Sequence, residues 1–202
     1  MSKGRLEAFS DGVLAIIITI MVLELKVPHG ADLAALQPVT PVLLAYVVSF
    51  VYVGIYWNNH HHMLHATRHV DGRAMWANLH LLFWLSLLPF VTGWVAENPA
   101  ASLPTALYGV VLLAAGVAWL LLKTALIRAN GRDSELALAV GRDRKGTVSA
   151  LVYSAAIALA FVHAWIAEAL YVLVAAMWLV PDPRIERAMT AKRATQPPNG
   201  RE

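Results

Sequence analysis

Long apolar runs separated by short polar segments dominate the chain. The first four runs cover about residues 6–25, 41–60, 75–95 and 103–127, and the third contains Pro89. Each run approaches the roughly 20 residues that an α-helix needs to cross a bilayer. The pattern therefore predicts an all-α integral membrane protein.

The last apolar stretch, residues 146–182, is too long for one crossing. We interpret it as two short spans joined by a tight turn near residues 163–165, although no proline or glycine marks that turn. The prediction is a single domain of six transmembrane helices over residues 1–182. The polar tail, residues 183–202, is expected to be disordered.

Basic residues are concentrated in alternate loops of this six-span arrangement. Of the 16 lysines and arginines, all except Lys26 lie on one side of the membrane. Short loops rich in lysine and arginine stay on the cytoplasmic side. Six spans with both termini in the cytoplasm satisfy this rule, whereas five or seven spans would break it.

Composition agrees with a bilayer environment. The chain is 58% hydrophobic and 14% charged, far less charged than a soluble domain. The net charge of +3 comes from residues between apolar runs, so it indicates membrane loops and no nucleic-acid partner. The first run is expected to be a retained span, because Asp11 interrupts its start and no cleavage site of small residues follows.

The first run has two distinct helical faces. Asp11 falls nearly opposite a stripe of mainly aliphatic residues, which we call the aliphatic stripe: Gly12, Ile16, Thr19, Ile20 and Leu23. Two interpretations of Asp11 remain open. It is an interfacial anion near the positive end of the helix dipole, or it ties the helix to its neighbours so that the stripe faces a central axis. Aliphatic constrictions on such an axis can gate by dewetting.

Three motifs on successive runs carry a family resemblance. The segments "RLEAFSDGVLAI", "WNNHH" and "NLHLLFWLSLLPF" resemble signatures of the transmembrane protein 175 family, which comprises the endolysosomal potassium channel and its prokaryotic relatives. The matching residues, in chain order, are Arg5, Phe9, Ser10, Asp11, Ala15, Ile16, Trp57, Asn59, His60, His61, Asn78, Leu79, Pro89 and Phe90.

The resemblance implies a cation channel in which four copies surround a pore lined by the first helix. Ile16 would form the narrowest ring, with Thr19, Ile20 and Leu23 on further layers. The implied partners are K⁺ and other monovalent cations, the lipid bilayer and three identical subunits, without a cofactor. A structural polar network would join Asp11 to His60 or His61 and would include Arg5, Phe9, Ser10, Trp57, Asn59 and Asn78.

Two absent motifs refine this expectation. The sequence has no Thr-Val-Gly-Tyr-Gly filter and no span with arginine at every third position. An aliphatic neck offers no oxygen ligands to replace hydration. We therefore expect a leak-like conductance with a modest preference for potassium and no voltage sensor of the usual kind.

Other functional classes are less well supported. His61, His65 and His69 follow one another at helical spacing, but only Asp71 lies nearby as a carboxylate, so we predict no metal site. A proton-coupled transporter using Asp11, His60 and Glu168 is the main alternative. We do not expect an enzyme, because no catalytic triad, phosphate-binding loop or carboxylate pair is evident. The single repeat implies, by family resemblance, a prokaryotic plasma membrane.

Overall fold

The computed structural model describes residues 2–131, 133–134, 136–137 and 143–179. Within these ranges the chain is helical and has no strand, which confirms the all-α class. A 3₁₀ helix, Leu33–Val39, precedes the second α-helix. The predicted tail, residues 183–202, lies outside the described residues. The α-helices are α1 (Lys3–Leu23), α2 (Thr40–His65), α3 (Gly72–Ser86), α4 (Leu88–Glu97), α5 (Ser102–Asn130), α6 (Arg144–Ala160) and α7 (Ala164–Leu179).

Four helical segments of the described chain are long and apolar enough to cross a membrane: Lys3–Leu23, Leu33–His65, Gly72–Glu97 and Ser102–Asn130. They correspond to the first four predicted runs. The last apolar stretch forms two shorter helices, α6 with 17 residues and α7 with 16. The chain turns between them at residues 161–163, two residues before the expected position. The six-span arrangement stays a prediction.

The third span, Gly72–Glu97, is interrupted at Leu87, close to the proline in this run. Helix α3 ends at Ser86, and Pro89 lies in the first turn of α4. Proline lacks a backbone N–H and its ring clashes with the preceding turn, so it is tolerated at a helix start but not in a helix interior. The break at Leu87 is the local consequence.

Helix α5 is the centre of the bundle and contacts α3, α4, α6 and α7. Its buried surface alternates small and large side chains, including Leu112, Ala115, Ala118 and Leu122. Small residues allow helix backbones to approach closely, which favours helix association in membranes. Helix α1 packs on the other side of the bundle, against α2, α3 and α4.

Hydrogen bonds join several helix ends at one end of the bundle. Lys3 Nζ donates to the carbonyl oxygen of His65 at 3.2 Å, and Asn130 Oδ1 accepts the backbone N–H of His69 at 2.9 Å. The start of α1 therefore lies beside the end of α2, and the end of α5 lies beside the loop that follows α2. We call this the basic end, because the loops that meet there carry lysine and arginine.

Candidate pore helix and the polar network behind it

One face of α1 is buried in the bundle. Its buried residues follow one another at intervals of three and four, so they form a single stripe along the helix: Leu6, Ser10, Leu14, Ile17 and Met21. Four of these side chains are apolar and pack in the core, and Ser10 is the one polar residue among them. This face fixes how α1 sits on its neighbours.

A buried polar network joins three helices behind this face. The amide nitrogen of Asn78 on α3 donates to Ser10 Oγ at 2.9 Å. The amide oxygen of Asn78 lies 2.7 Å from Nε2 of His60 on α2. Because that oxygen can only accept, His60 Nε2 carries the proton in this contact. We call these residues the Ser10–Asn78–His60 network. All three are at most 2% exposed.

Asp11 points to a different helix from its neighbour Ser10. Trp57 Nε1 on α2 donates to Asp11 Oδ1 at 3.1 Å. Successive residues of an α-helix are rotated by about 100°, so Ser10 reaches α3 while Asp11 reaches the exposed side of α2. The structure thus pairs Asp11 with Trp57, a member of the network that the resemblance implied, and not with His60 or His61, the partners it implied for Asp11.

Four residues of the predicted network lie outside these contacts. Arg5 and Phe9 are exposed on the protomer. Asn59 donates to the carbonyl oxygen of Ile55 one turn earlier in its own helix. The exposed His61 ring stacks on Trp57 with ring centroids 6.1 Å apart. The structure therefore brings together five of the nine predicted residues, in two separate groups.

The aliphatic stripe is exposed along its whole length in the protomer. Ile16 is 57% exposed and Leu23 is 79% exposed. The stripe is rotated away from the buried face: around the helix, Ile16 lies about 120° and Thr19 about 180° from Ser10. Thr19 Oγ1 donates to the carbonyl oxygen of Ile16 at 3.0 Å, which leaves its oxygen able to accept a hydrogen bond or meet a cation.

The histidines of α2 do not form a metal site among the described residues. No group of three or more histidine, cysteine, aspartate or glutamate side chains is placed to hold an ion there. His61 instead stacks on His65 with ring centroids 6.3 Å apart. An exposed ladder of Trp57, His61 and His65 therefore follows one side of α2.

A second polar cluster was not identified from the sequence. Ser49 Oγ lies 2.7 Å from Thr92 Oγ1 and 2.9 Å from the Tyr108 hydroxyl, and all three residues are buried. Nearby, the Tyr52 hydroxyl donates to the carbonyl oxygen of Tyr171 at 2.6 Å. The tyrosines inside the apolar runs could have indicated this cluster from the sequence, because a buried tyrosine hydroxyl generally has a hydrogen-bond partner.

Glu168 belongs to this second region. Thr105 Oγ1, near the start of α5, donates to Glu168 Oε1 at 3.2 Å. His60 lies in the last two turns of α2, towards the basic end. His60 and Glu168 therefore belong to separate hydrogen-bonded clusters in the described chain. The described contacts show no direct proton relay between them of the kind a proton-coupled transporter would use.

Comparison with known proteins identifies the family. Residues 5–89 match the family model described as the endosomal/lysosomal potassium channel TMEM175. A protein from Chryseobacterium sp. (strain P1-3), described as a potassium channel, is 52% identical over 189 residues, which cover 94% of this chain and 98% of that protein. The chain belongs to the TMEM175 family. It is therefore a multi-pass channel protein of the kind found in prokaryotic membranes, and not an enzyme.

The TMEM175 fold extends through most of the chain. The crystal structure of a protein described as a lysosomal potassium-selective channel TMEM175 homolog, from Chamaesiphon minutus, superposes with a TM-score of 0.71 at 28% identity, covering 88% of this chain and 96% of that one. A zebrafish protein described as the endosomal/lysosomal proton channel TMEM175 is 36% identical over 115 residues, which cover 50% of this chain and 22% of that protein.

Proposed function

We propose that this TMEM175 protein is a homotetrameric, potassium-permeable cation channel whose pore is lined by the aliphatic stripe of α1. The observation that carries the proposal is the position of the stripe. It is exposed on a side of α1 away from the buried face, where the described part of the protomer supplies nothing to cover it. Four copies with these stripes around one axis would form a narrow apolar neck.

The chemistry of the stripe predicts a modest selectivity. Ile16 would form the narrowest ring, with Thr19, Ile20 and Leu23 in successive layers. Aliphatic side chains cannot replace the hydration shell of an ion, so ions are discriminated by pore size and by the cost of partial dehydration. Because K⁺ holds its water less tightly than Na⁺, a leak-like conductance that favours K⁺ modestly is expected.

The contacts behind α1 support this role by fixing its rotation. The Ser10–Asn78–His60 network holds one side of the helix to α2 and α3, and the Asp11–Trp57 hydrogen bond holds a second side to α2. A rotation of α1 that moved Ile16 off the axis would break these bonds and leave buried polar groups unpaired. We further propose six spans with both termini in the cytoplasm, as the basic loops predict.

The direct test is ion flux from proteoliposomes that contain the purified full chain, compared for K⁺, Na⁺ and Cs⁺. Wild-type protein should pass all three ions passively, with K⁺ ahead of Na⁺. Ile16→Asn should hydrate the neck and raise Na⁺ flux by roughly tenfold, equivalent to a barrier lower by about 1.4 kcal/mol. Val22→Asn is the matched control, because Val22 is 41% exposed on α1 but lies outside the stripe.

The two variants separate the pore assignment from a general effect of asparagine in the membrane. Flux that responds to Ile16→Asn and not to Val22→Asn supports the stripe as the pore surface. Equal responses in the two variants, or no passive flux from wild-type protein, would contradict it.

Proton conduction is the second candidate function, because the zebrafish relative is described as a proton channel. Liposomes carrying a pH-sensitive dye, with a proton gradient and no K⁺, test it. Proton entry that is lost in a His60→Gln, Glu168→Gln double variant while K⁺ flux persists would favour this second function. Proton entry unaffected by both substitutions would remove the relay from consideration.

A further inference from the structure

A cleft opens between α2, α5 and α6, on a different side of α2 from its contacts with α1. Its volume is about 340 Å³, within the range of small-molecule sites in proteins. Aromatic and aliphatic side chains form most of its described walls, including Tyr56 from α2, Leu113 and Trp119 from α5, and Ala150 and Tyr153 from α6. The cleft plays no part in the proposed pore.

The cleft runs inward from the basic end of the bundle. On α6 its lining extends from Gly146 in the first turn to Tyr153, a rise of about 10 Å along the helix. Half of the hydrocarbon core of a bilayer is roughly 15 Å thick. The apolar part of the cleft therefore covers most of one leaflet and ends near the middle of the bundle.

The side chains at its mouth are typical of the membrane interface. Trp178 on α7 lines the cleft and donates from Nε1 to Ser149 Oγ at 2.9 Å. Lys145 Nζ lies 5.7 Å from the centre of the Trp178 ring. Tryptophan concentrates at the level of lipid head groups, and lysine extends its charge to that level. The mouth therefore meets the lipid head groups.

Charged residues also lie at the mouth of the cleft. Asp143 lines it and forms an ion pair with Lys123, with Nζ and Oδ2 2.8 Å apart. Arg144 and Lys145 follow directly in the chain. Lys145 donates from Nζ to the carbonyl oxygen of Met177 at 3.2 Å, and Arg144 is exposed. Two basic residues therefore follow the lining residue Asp143 at the mouth. Basic pockets between transmembrane helices favour anionic lipid head groups.

We propose that this cleft binds one acyl chain of an anionic phospholipid, with its head group beside Arg144 and Lys145. A long apolar slot that opens at head-group level matches an acyl chain in shape and depth, and the charge at its mouth selects an anionic head group. The proposal concerns a lipid site on each subunit and does not depend on where the pore lies.

Gly116 provides a way to fill the cleft without disturbing the helices. It lines the cleft on α5, and a Cβ placed there meets no other atom within 4 Å. Gly116→Leu therefore puts a side chain into the lipid's space. Gly54→Leu on α2 is the matched control, because a Cβ at Gly54 also meets no atom within 4 Å and Gly54 does not line the cleft. Ala150→Leu fills the cleft from the opposite wall.

The experiment is native mass spectrometry of the full-length protein released from detergent after addition of phosphatidylglycerol or phosphatidylcholine. Wild-type protein and Gly54→Leu should each retain one phosphatidylglycerol per chain, and at least about fivefold less phosphatidylcholine, a difference of about 1 kcal/mol. Gly116→Leu and Ala150→Leu should lose the retained lipid while keeping the wild-type helical circular dichroism.

Three results would overturn the proposal. The first is retention of phosphatidylglycerol in both cleft-filling variants at the wild-type level. The second is equal retention of phosphatidylcholine and phosphatidylglycerol, which would remove the anionic head group from the site. The third is no retained lipid in wild-type protein, the result expected if another part of the chain or a second copy fills the cleft.

Discussion

Helices α1 and α5 are both long and apolar, but the fold uses them differently. Twelve of the 29 residues of α5 are buried, and they face several neighbouring helices. Five of the 21 residues of α1 are buried, all on one face. A hydropathy profile does not separate two such helices, because lipid, protein and a dewetted pore all accept apolar side chains.

The difference in burial distinguishes α5, which packs against most of the other helices, from α1, which is proposed to line the pore. Substitutions in the seams of α5 should change folding with little effect on ion selectivity. Substitutions on the aliphatic stripe of α1 should do the reverse. Substitutions on the buried face of α1 should affect both folding and ion selectivity, because this face packs in the core and also fixes the orientation of the stripe.

The largest effect on stability is expected at Gly109 on α5. A Cβ at this position would overlap the hydroxyl of Tyr171 and come within 2.8 Å of Ile157 Cγ1. Gly109→Ala should therefore destabilise the protein by about 1–3 kcal/mol through overpacking. Thermal unfolding in detergent, followed by circular dichroism, measures the loss.

Gly116 is the matched control, because it lies two turns along the same face of α5 and has open space around it. Gly116→Ala should change stability by less than about 0.5 kcal/mol. The K⁺/Na⁺ flux ratio of both variants should equal that of wild-type protein. A change in that ratio for Gly109→Ala would show that α5 packing also sets the pore, contrary to the separate roles given to α1 and α5.

A smaller loss is expected when the Ser10–Asn78–His60 network is cut. Asn78→Leu removes the partner of His60 and one partner of Ser10, and should lower the free energy of unfolding by about 1–2 kcal/mol. Asn59→Leu is the control, since within the described chain the Asn59 amide bonds only to its own helix. Equal Tm values for the two variants would mean that the network does not hold α1.

The smallest effect is expected on the exposed side of α1. Trp57→Phe keeps an aromatic ring but removes the hydrogen bond to Asp11, at a cost of about 0.5–1 kcal/mol. Trp76→Phe is the control, because Trp76 is 75% exposed and its ring makes no hydrogen bond within the described chain. A Trp57→Phe protein as stable as the Trp76→Phe protein would remove Asp11 from the contacts that orient α1.

Much of the helical framework could be predicted from the sequence, because the bilayer imposes a length and a composition on each crossing. The four long apolar segments followed from these signals, whereas the family followed from the resemblance of three motifs on successive runs. The turn between α6 and α7 was placed two residues late, since Phe161, Val162 and His163 include no glycine or proline to mark it.

The hydrogen-bond partners of individual polar residues were harder to predict from the sequence. Asp11 and Trp57 are 46 residues apart in the chain, and Ser10 and Asn78 are 68 apart. Which of two adjacent residues meets which helix depends on the rotation of α1, and that rotation is set by packing of the whole bundle. The Ser49–Thr92–Tyr108 cluster was missed for the same reason, since it joins three helices.

Thiol modification of single-cysteine variants can test whether the aliphatic stripe lines the pore, because the chain has no cysteine of its own. Thr19→Cys and Val22→Cys place one thiol on the aliphatic stripe and one on a neighbouring exposed face of α1. If the stripe lines the pore, a water-soluble, charged thiol reagent should block K⁺ flux through the Thr19→Cys protein and leave the Val22→Cys protein conducting. Block of Val22→Cys with Thr19→Cys unaffected would contradict the assignment of the stripe to the pore.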